Sequence, residues 1–372
     1  MVTIPSISQY TKHQYIAPLD GMRAVAIILV VVAHLGFGSI IPGGFGVTVF
    51  FFISGFLISR LLIAEYLKSG RLNIRYFYIR RFLRLAPALL TMLLLVYILN
   101  VSMGFAAPGR ELLAGFTYTM NYYLIVQKSD PILPIGALWS LAVEEHYYLL
   151  YPLLLTLLWR KQTQFLVFLI LACLAALIWR TLLIQVLNVS AEYTYKATDT
   201  RFDSILYGAI LAVALEVKSV ASWFKRFDAL LPLGVAFAVL LGTFLWRNAE
   251  FRETLRYSLQ GMALIPIVYG ILYGSRLKRV RDLLAMAPMI WIGRVSYSLY
   301  LWHVPVLNCI SLGFPEMRLT ETYIMALPLT VLVSAASYYL VERPFVSLRK
   351  SFRPSNTDHS RELEGRLPSN AS

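Results

Sequence analysis

Ten apolar runs punctuate the chain, at about residues 20–38, 46–66, 85–107, 137–159, 164–186, 203–217, 229–246, 256–274, 295–312 and 321–341. Each approaches the roughly 20 residues that a helix needs to cross a hydrocarbon layer. So many long runs require the bilayer as their apolar solvent, and a helix is how such a run satisfies its own backbone there. An eleventh stretch, 111–126 (ELLAGFTYTMNYYLIV), is shorter and more polar, so pattern alone does not decide whether it crosses. The expectation is an all-α polytopic membrane protein.

Charge decides the count. If 111–126 stays on one side and the N-terminus is cytoplasmic, 24 of the 34 Lys and Arg residues fall inside and 8 outside. Arg60 and Arg180 lie within helices. Letting 111–126 cross would place Arg160 and Lys161 outside and invert every later loop, against the positive-inside rule. About ten transmembrane helices with N- and C-termini cytoplasmic are therefore expected. The net charge of +14 then reads as topology and contact with anionic lipid, not as a nucleic-acid footprint. Residues 1–15 are expected to form a cytoplasmic segment, 16–346 the integral-membrane domain and 347–372 a disordered cytoplasmic tail. No cleavable leader is expected, because the polar first 19 residues precede a run of spanning length. Cys173 and Cys309 both lie in apolar runs, which argues against a disulfide framework or a thiolate metal site.

The sharpest chemical signal is in the first run, DGMRAVAIILVVVAHLGFG. Arg23 and His34 are eleven positions apart, about 1100° of helical turn, so they share a face to within roughly 20°. They stand about 16 Å apart along the axis, and Asp20 falls near the same stripe. Ionisable groups inside membrane helices face a protein interior or a water-filled cavity and are candidates for function. The loop KSGRLNIRYFYIRRFLRLAP brings Arg80, Arg81 and Arg84 to the membrane boundary. Topology and headgroup contact explain such a cluster as well as a site for an anionic ligand does.

Five further places carry titratable or small polar groups. Ser54–Gly55 in GVTVFFFISGFLIS reads as a close helix crossing. LWSLAVEEHYYLLYP buries Glu144, Glu145 and His146; adjacent positions diverge by about 100°, so both carboxylates cannot face one point. Glu144 is expected at the depth of His34, where a carboxylate could orient the imidazole and stabilise its charged form. An ion pair with Arg180 is the competing structural reading. DTRFDSILYGAIL puts Asp199, Arg201 and Asp203 at the outer mouth of a span, as a salt-linked rim or as a vestibule for a hydroxylated acceptor. His303, beside Trp302, reads first as a packed core histidine, and Glu342–Arg343–Pro344 as a helix stop. No metal-ligand spacing is present.

These pieces together resemble the integral-membrane acyltransferase family three, of the bacterial surface-polysaccharide O-acetyltransferase type. The matching segments are LDGMRAVAIILVVVAHLG, GVTVFFFISGFLIS, YIRRFLRLAPALL, LWSLAVEEHYYLLYP, TRFDSILYGAIL, VSYSLYLWH and VERPF, in family order from about residue 15 to 345. The resemblance implies acyl-CoA, such as acetyl-CoA, as a cytoplasmic donor substrate, with no permanently bound cofactor. It implies an essential His34–Arg23 pair and a sugar hydroxyl as acceptor. It makes Arg80, Arg81 and Arg84 candidates for the coenzyme phosphates and places Glu144 and Trp139 near the reaction chamber. His146 stands where the family often has glutamine. Some members carry a fused extracytoplasmic esterase-like domain. This chain ends without one, so direct transfer or a separate partner is expected.

The expected function is a membrane O-acyltransferase of the bacterial cytoplasmic (inner) membrane, moving an acyl group to a carbohydrate acceptor, free or lipid-linked. His34 serves as base or acyl carrier, with Glu144 and Glu145 as catalytic candidates. Arg23, Trp139, Arg201 and Asp203 are the substrate-binding candidates. Acylation of a small molecule such as a macrolide or glycolipid is one alternative. A proton-coupled exporter is another, but the pseudo-symmetric halves it would need are not visible.

Overall fold

The computed structural model describes residues 15–106 and 108–348, so nearly all of the expected tail and of the N-terminal segment lies outside the described residues. Among the described residues every regular element is helical. In chain order they are α1 Ala17–Val32, α2 Gly43–Ser69, α3 Ile74–Ser102, α4 Gly109–Phe116, α5 Met120–Gln127 and α6 Trp139–Leu158. Then come α7 Gln162–Gln185, α8 Ala191–Lys196, α9 Thr198–Ala214, α10 Lys218–Ala221, α11 Leu230–Leu245 and α12 Ala249–Glu253. The chain finishes with α13 Leu255–Tyr273, α14 Lys278–Leu284, α15 Ala287–Gly313, α16 Leu319–Ser337 and α17 Arg343–Leu348.

Each of the ten apolar runs overlaps a helix. Six helical stretches among the described residues are long and apolar enough to cross a membrane, or seven if the bent pair Ala191–Ala214 and Lys218–Asp228 forms one span. One of the six, Gly136–Gln185, is 50 residues long and contains both α6 and α7. The chain is a multi-pass helical membrane protein. The ambiguous stretch 111–126 becomes two eight-residue helices, α4 and α5. At about 1.5 Å per residue each covers roughly 12 Å, far short of a crossing. The buried Glu111 carboxylate accepts from the backbone N–H groups of Ile132 and Leu133, at 2.9 and 2.8 Å, and folds this region onto itself.

Two expectations about helix ends change. The first run does not continue as α-helix to residue 38, because after Val32 it widens into a π-turn, Ala33–Phe37. Gly36 there adopts φ +87°, which glycine reaches without a Cβ penalty. Pro344 does not stop a helix: a π-turn at Tyr338–Glu342 passes directly into α17. Pro344 is the second residue of α17, directly after Arg343, whose N–H bonds back to the Tyr338 carbonyl oxygen.

Small residues set the helix spacing, as membrane packing requires. The principal pairings are α2 with α9, α1 with α15 and with α2, α15 with α16, and α9 with α7 and α13. A Cβ on Gly55 of α2 would sit 1.9 Å from the Ile205 carbonyl oxygen, and one on Gly208 of α9 would sit 1.9 Å from that of Phe52. The Ser54–Gly55 step is thus a backbone-to-backbone crossing. It seats α9, buried along almost all of its length, at the centre of the bundle.

One charge pair holds α7, α9 and α13 together. Arg180 and Asp203 are fully buried and meet through two parallel contacts of 2.9 and 2.8 Å. Ser258 of α13 donates to Asp203, and the Thr200 and Thr254 carbonyls accept from Arg180. Asp203 therefore does not rim a vestibule, and the partner of Arg180 is Asp203 rather than a glutamate of α6.

Leucine at Gly55 or Gly208 is expected to lower the thermal unfolding temperature of the detergent-purified protein by several degrees. Leucine at Gly234, which has open space around its Cβ position, should leave it unchanged. Asp203→Asn, which strands a buried guanidinium, is expected to cost about 3–5 kcal/mol, with much of the loss recovered in an Arg180→Met/Asp203→Leu double variant. Thermal denaturation of the five variants checks both expectations.

Candidate active site

Two chambers lie end to end against α1. The first, about 710 Å³ of empty space, is lined by Arg23, Arg81, Arg84, Ser54, Glu144 and Tyr148, with apolar walls from α2. The second, about 680 Å³, is lined by His34, Trp139, Tyr195, Gly43, Gly44 and Ala137. Val47 and Tyr300 line both, so they form the partition between them. The Tyr300 hydroxyl is pinned at that partition, donating to the Ala137 carbonyl at 2.8 Å and meeting Ser140 Oγ at 2.7 Å. The face shared by Arg23 and His34 is realised: each opens to one chamber of the same pair.

In the first chamber the basic cluster divides. Arg81 and Arg84 reach the chamber wall with Arg23, whereas Arg80 forms an ion pair with Glu65 at 2.8 Å. Arg23 is itself 3.9 Å from Asp20, one helical turn earlier. The Arg81 guanidinium carbon lies 3.5 Å from the centre of the Tyr148 ring. Tyr148 donates to Glu144 at 2.9 Å, and Ser54 donates to the other oxygen of that carboxylate at 3.1 Å. Glu145, about 100° round the helix, is 3.9 Å from Arg81 and lines neither chamber. Of the two carboxylates, Glu144 is the one that faces a chamber. It lines the other chamber from His34, and its two oxygens accept from Ser54 and Tyr148.

In the second chamber the His34 ring is exposed to the cavity, and its Nδ1 lies 2.8 Å from the Val30 carbonyl oxygen. A carbonyl only accepts, so Nδ1 carries the hydrogen and the neutral ring presents a lone pair at Nε2. The α-helix has just ended at Val32, and the π-turn that follows carries this ring at the chamber wall. The nearest aromatic partner of His34 is His303, whose ring centre is 4.9 Å away, edge to face. His303 is buried, with Nδ1 2.7 Å from the Tyr300 carbonyl oxygen. The expected core packing of His303 is real, but its neighbour is the candidate catalytic ring. Nothing in the spacing of 34 and 303 announces this. The available signal was that both sit in segments carrying the family resemblance.

Trp139 forms part of the wall, its ring 4.8 Å from that of Tyr195. Arg201 lies behind them, fully buried rather than at a solvated mouth. Its guanidinium carbon is 3.8 Å from the Tyr257 ring centre and within 6 Å of those of Tyr195, Phe51 and Trp139. Cation–π attraction of up to about 2 kcal/mol per desolvated contact offsets part of the burial cost. Arg201 thus braces the chamber wall from behind. His146 turns away from both chambers, hydrogen-bonded to Thr198 at 2.7 Å and stacked on Tyr122.

Residues 16–341 match the acyltransferase domain family. The chain is 30% identical over 380 residues to the peptidoglycan O-acetyltransferase OatA of Listeria monocytogenes, covering 93% of this chain and 59% of that protein. It is 32% identical over 357 residues to the O-acetyltransferase OatA of Staphylococcus aureus, covering 89% of this chain and 57% of that protein. It therefore spans less than two thirds of the length of these relatives. No solved structure matches it. A family match over almost the whole described region, falling on the helices that build both chambers, shows that this chain belongs to the acyltransferase domain family.

Proposed function

We propose that the chain transfers an acetyl group from cytoplasmic acetyl-CoA to a hydroxyl of a cell-surface glycan, with peptidoglycan as the acceptor. The choice of acceptor rests on the names of the relatives. One observation carries the route: an arginine-lined chamber and a histidine-lined chamber share a two-residue partition. Arginine forks suit the coenzyme phosphates, and the apolar walls suit the pantetheine arm. The roughly 16 Å from Arg23 to His34 is a length that an extended pantetheine arm covers. The thioester then reaches the partition at Tyr300, with the acceptor hydroxyl in the His34 chamber.

His34 Nε2 performs the proton chemistry. As a base it removes the hydroxyl proton while the oxygen attacks the thioester carbonyl. As a carrier it attacks that carbonyl first and holds the acyl group. Both routes need the lone pair that the Nδ1–Val30 bond keeps on Nε2. Glu144 acts in the donor chamber, where it holds Tyr148 beneath the Arg81 guanidinium. This is a different task from the expected support of the imidazole.

The same reading includes ten crossings with both termini cytoplasmic, in the bacterial cytoplasmic membrane. It counts α6 and α7 separately, since 50 helical residues at about 1.5 Å each would reach roughly 75 Å, over twice a hydrocarbon core. It places the arginine chamber toward the donor's compartment.

His34→Ala is expected to reduce wall-bound O-acetyl by 100-fold or more, the low end of what positioned proton transfer contributes, about 10²–10⁴. Alkaline release of acetate from purified cell wall measures it, and undiminished acetate would refute the reading. Arg81→Ala is expected to raise KM for acetyl-CoA roughly tenfold or more, from loss of a charge-assisted contact of about 1.5–3 kcal/mol. Arg80→Ala, which removes an ion-pair partner of Glu65, should leave that KM within about twofold. Steady-state kinetics in proteoliposomes separates the two.

A further inference from the structure

His34 and His303 form a matched pair. Each ring bonds through Nδ1 to a backbone carbonyl of its own helix, Val30 for one and Tyr300 for the other. Each therefore keeps its lone pair at Nε2 when neutral. His303 Nε2 is buried and has no hydrogen-bond partner. Leaving such an acceptor unmade costs about 1–3 kcal/mol, so its retention calls for a use. The rings meet edge to face with centres 4.9 Å apart. His303 lines neither chamber, so it reaches substrate only through His34. No carboxylate bonds either ring among the described residues.

The titratable groups about the pair are Tyr300 on α15, Tyr195 on α8 and, on α16, Tyr323, whose ring lies against Gly36. The nearest charged groups by element are Arg201, behind Trp139 and Tyr195, and Glu144 and Arg23 beyond the partition. Two of these three are cations.

We propose that His303 is a positioning residue whose free Nε2 shares the proton that His34 collects from the acceptor hydroxyl. This deepens the acetyl-transfer reading and rests on it for the chemistry. The proton leaves the hydroxyl for His34 Nε2 as the new C–O ester bond forms. The C–S bond breaks and the thiolate departs with its electron pair. The proton, held between the two imidazoles meanwhile, returns through His34 to the sulfur and leaves as thiol. Nothing else is consumed.

The test uses full-length protein in proteoliposomes, with acetyl-CoA as donor and a soluble muropeptide as acceptor, read by thiol release. His303→Ala should lower kcat at least tenfold while KM for acetyl-CoA stays within twofold. Added imidazole should restore most of the rate, and isosteric but far less basic pyrazole should not. Equal rescue by pyrazole, or an undiminished kcat, overturns the proposal in favour of simple packing. A second measurement needs no turnover: nitrogen NMR of ¹⁵N-histidine-labelled protein in nanodiscs. The His303 Nε2 resonance should move in step with protonation of His34, and His34→Gln should abolish that step. Independent movement of the two rings overturns the proposal. If the wild type releases no thiol, the acetyl-transfer reading fails and the spectra still judge the pair.

Discussion

The close seating of α1 is the constraint on which the rest depends. A Cβ on Gly293 of α15 would fall 1.9 Å from the Asp20 carbonyl oxygen, and one on Gly46 of α2 would fall 2.5 Å from that of Ala26. Lipid supplies little hydrophobic force between helices, so such backbone contact is what dispersion and small residues can provide. With α1 wedged between α2 and α15, Arg23 and His34 look along one seam. The chambers are what remains of that seam where side chains do not fill it. Tyr300, held by two hydrogen bonds, divides it rather than closing it.

Buried charge is divided between groups enclosed by protein and groups that face a chamber. Arg180 and Asp203 saturate one another and their neighbours, so nothing is left over for a ligand. Arg201 is held chiefly by aromatic faces, and its guanidinium donates to the Thr48 hydroxyl oxygen at 3.3 Å. Arg81 and Arg84 instead reach a chamber, and His34 offers an uncommitted nitrogen to another. A membrane protein concentrates its expensive groups where they act or where they pair. The π-turn after Val32 belongs to the same logic, since widened turns occur often at functional sites.

Much of the architecture was legible in residue order. Each of the ten apolar runs overlaps a helix, and the polar stretch 111–126, left out of the crossings on the positive-inside rule, forms two short ones. Ser54–Gly55 announced a tight crossing, and the eleven-residue spacing of Arg23 and His34 announced a common face. Glu144 and Glu145 had to diverge because neighbouring helical positions do, and one of them lines a chamber. These features follow from local periodicity, which each helix carries within itself.

Partnership between helices was not legible. Arg201 and Asp203 looked like a rim and are buried, because α9 is surrounded by α2, α7 and α13 on all sides. Arg80 looked equivalent to Arg81 and turns to Glu65. Glu144 was matched to His34 by depth, yet depth fixes only one coordinate, and the rotation and lateral position of α6 direct it to Ser54 and Tyr148. His303, 269 positions away in sequence, is the residue that meets His34. Sequence by itself determined the elements, their polarity and the face on which chemistry could occur. Only tertiary structure decided which faces meet, because that depends on glycine-level contacts between helices far apart in the chain.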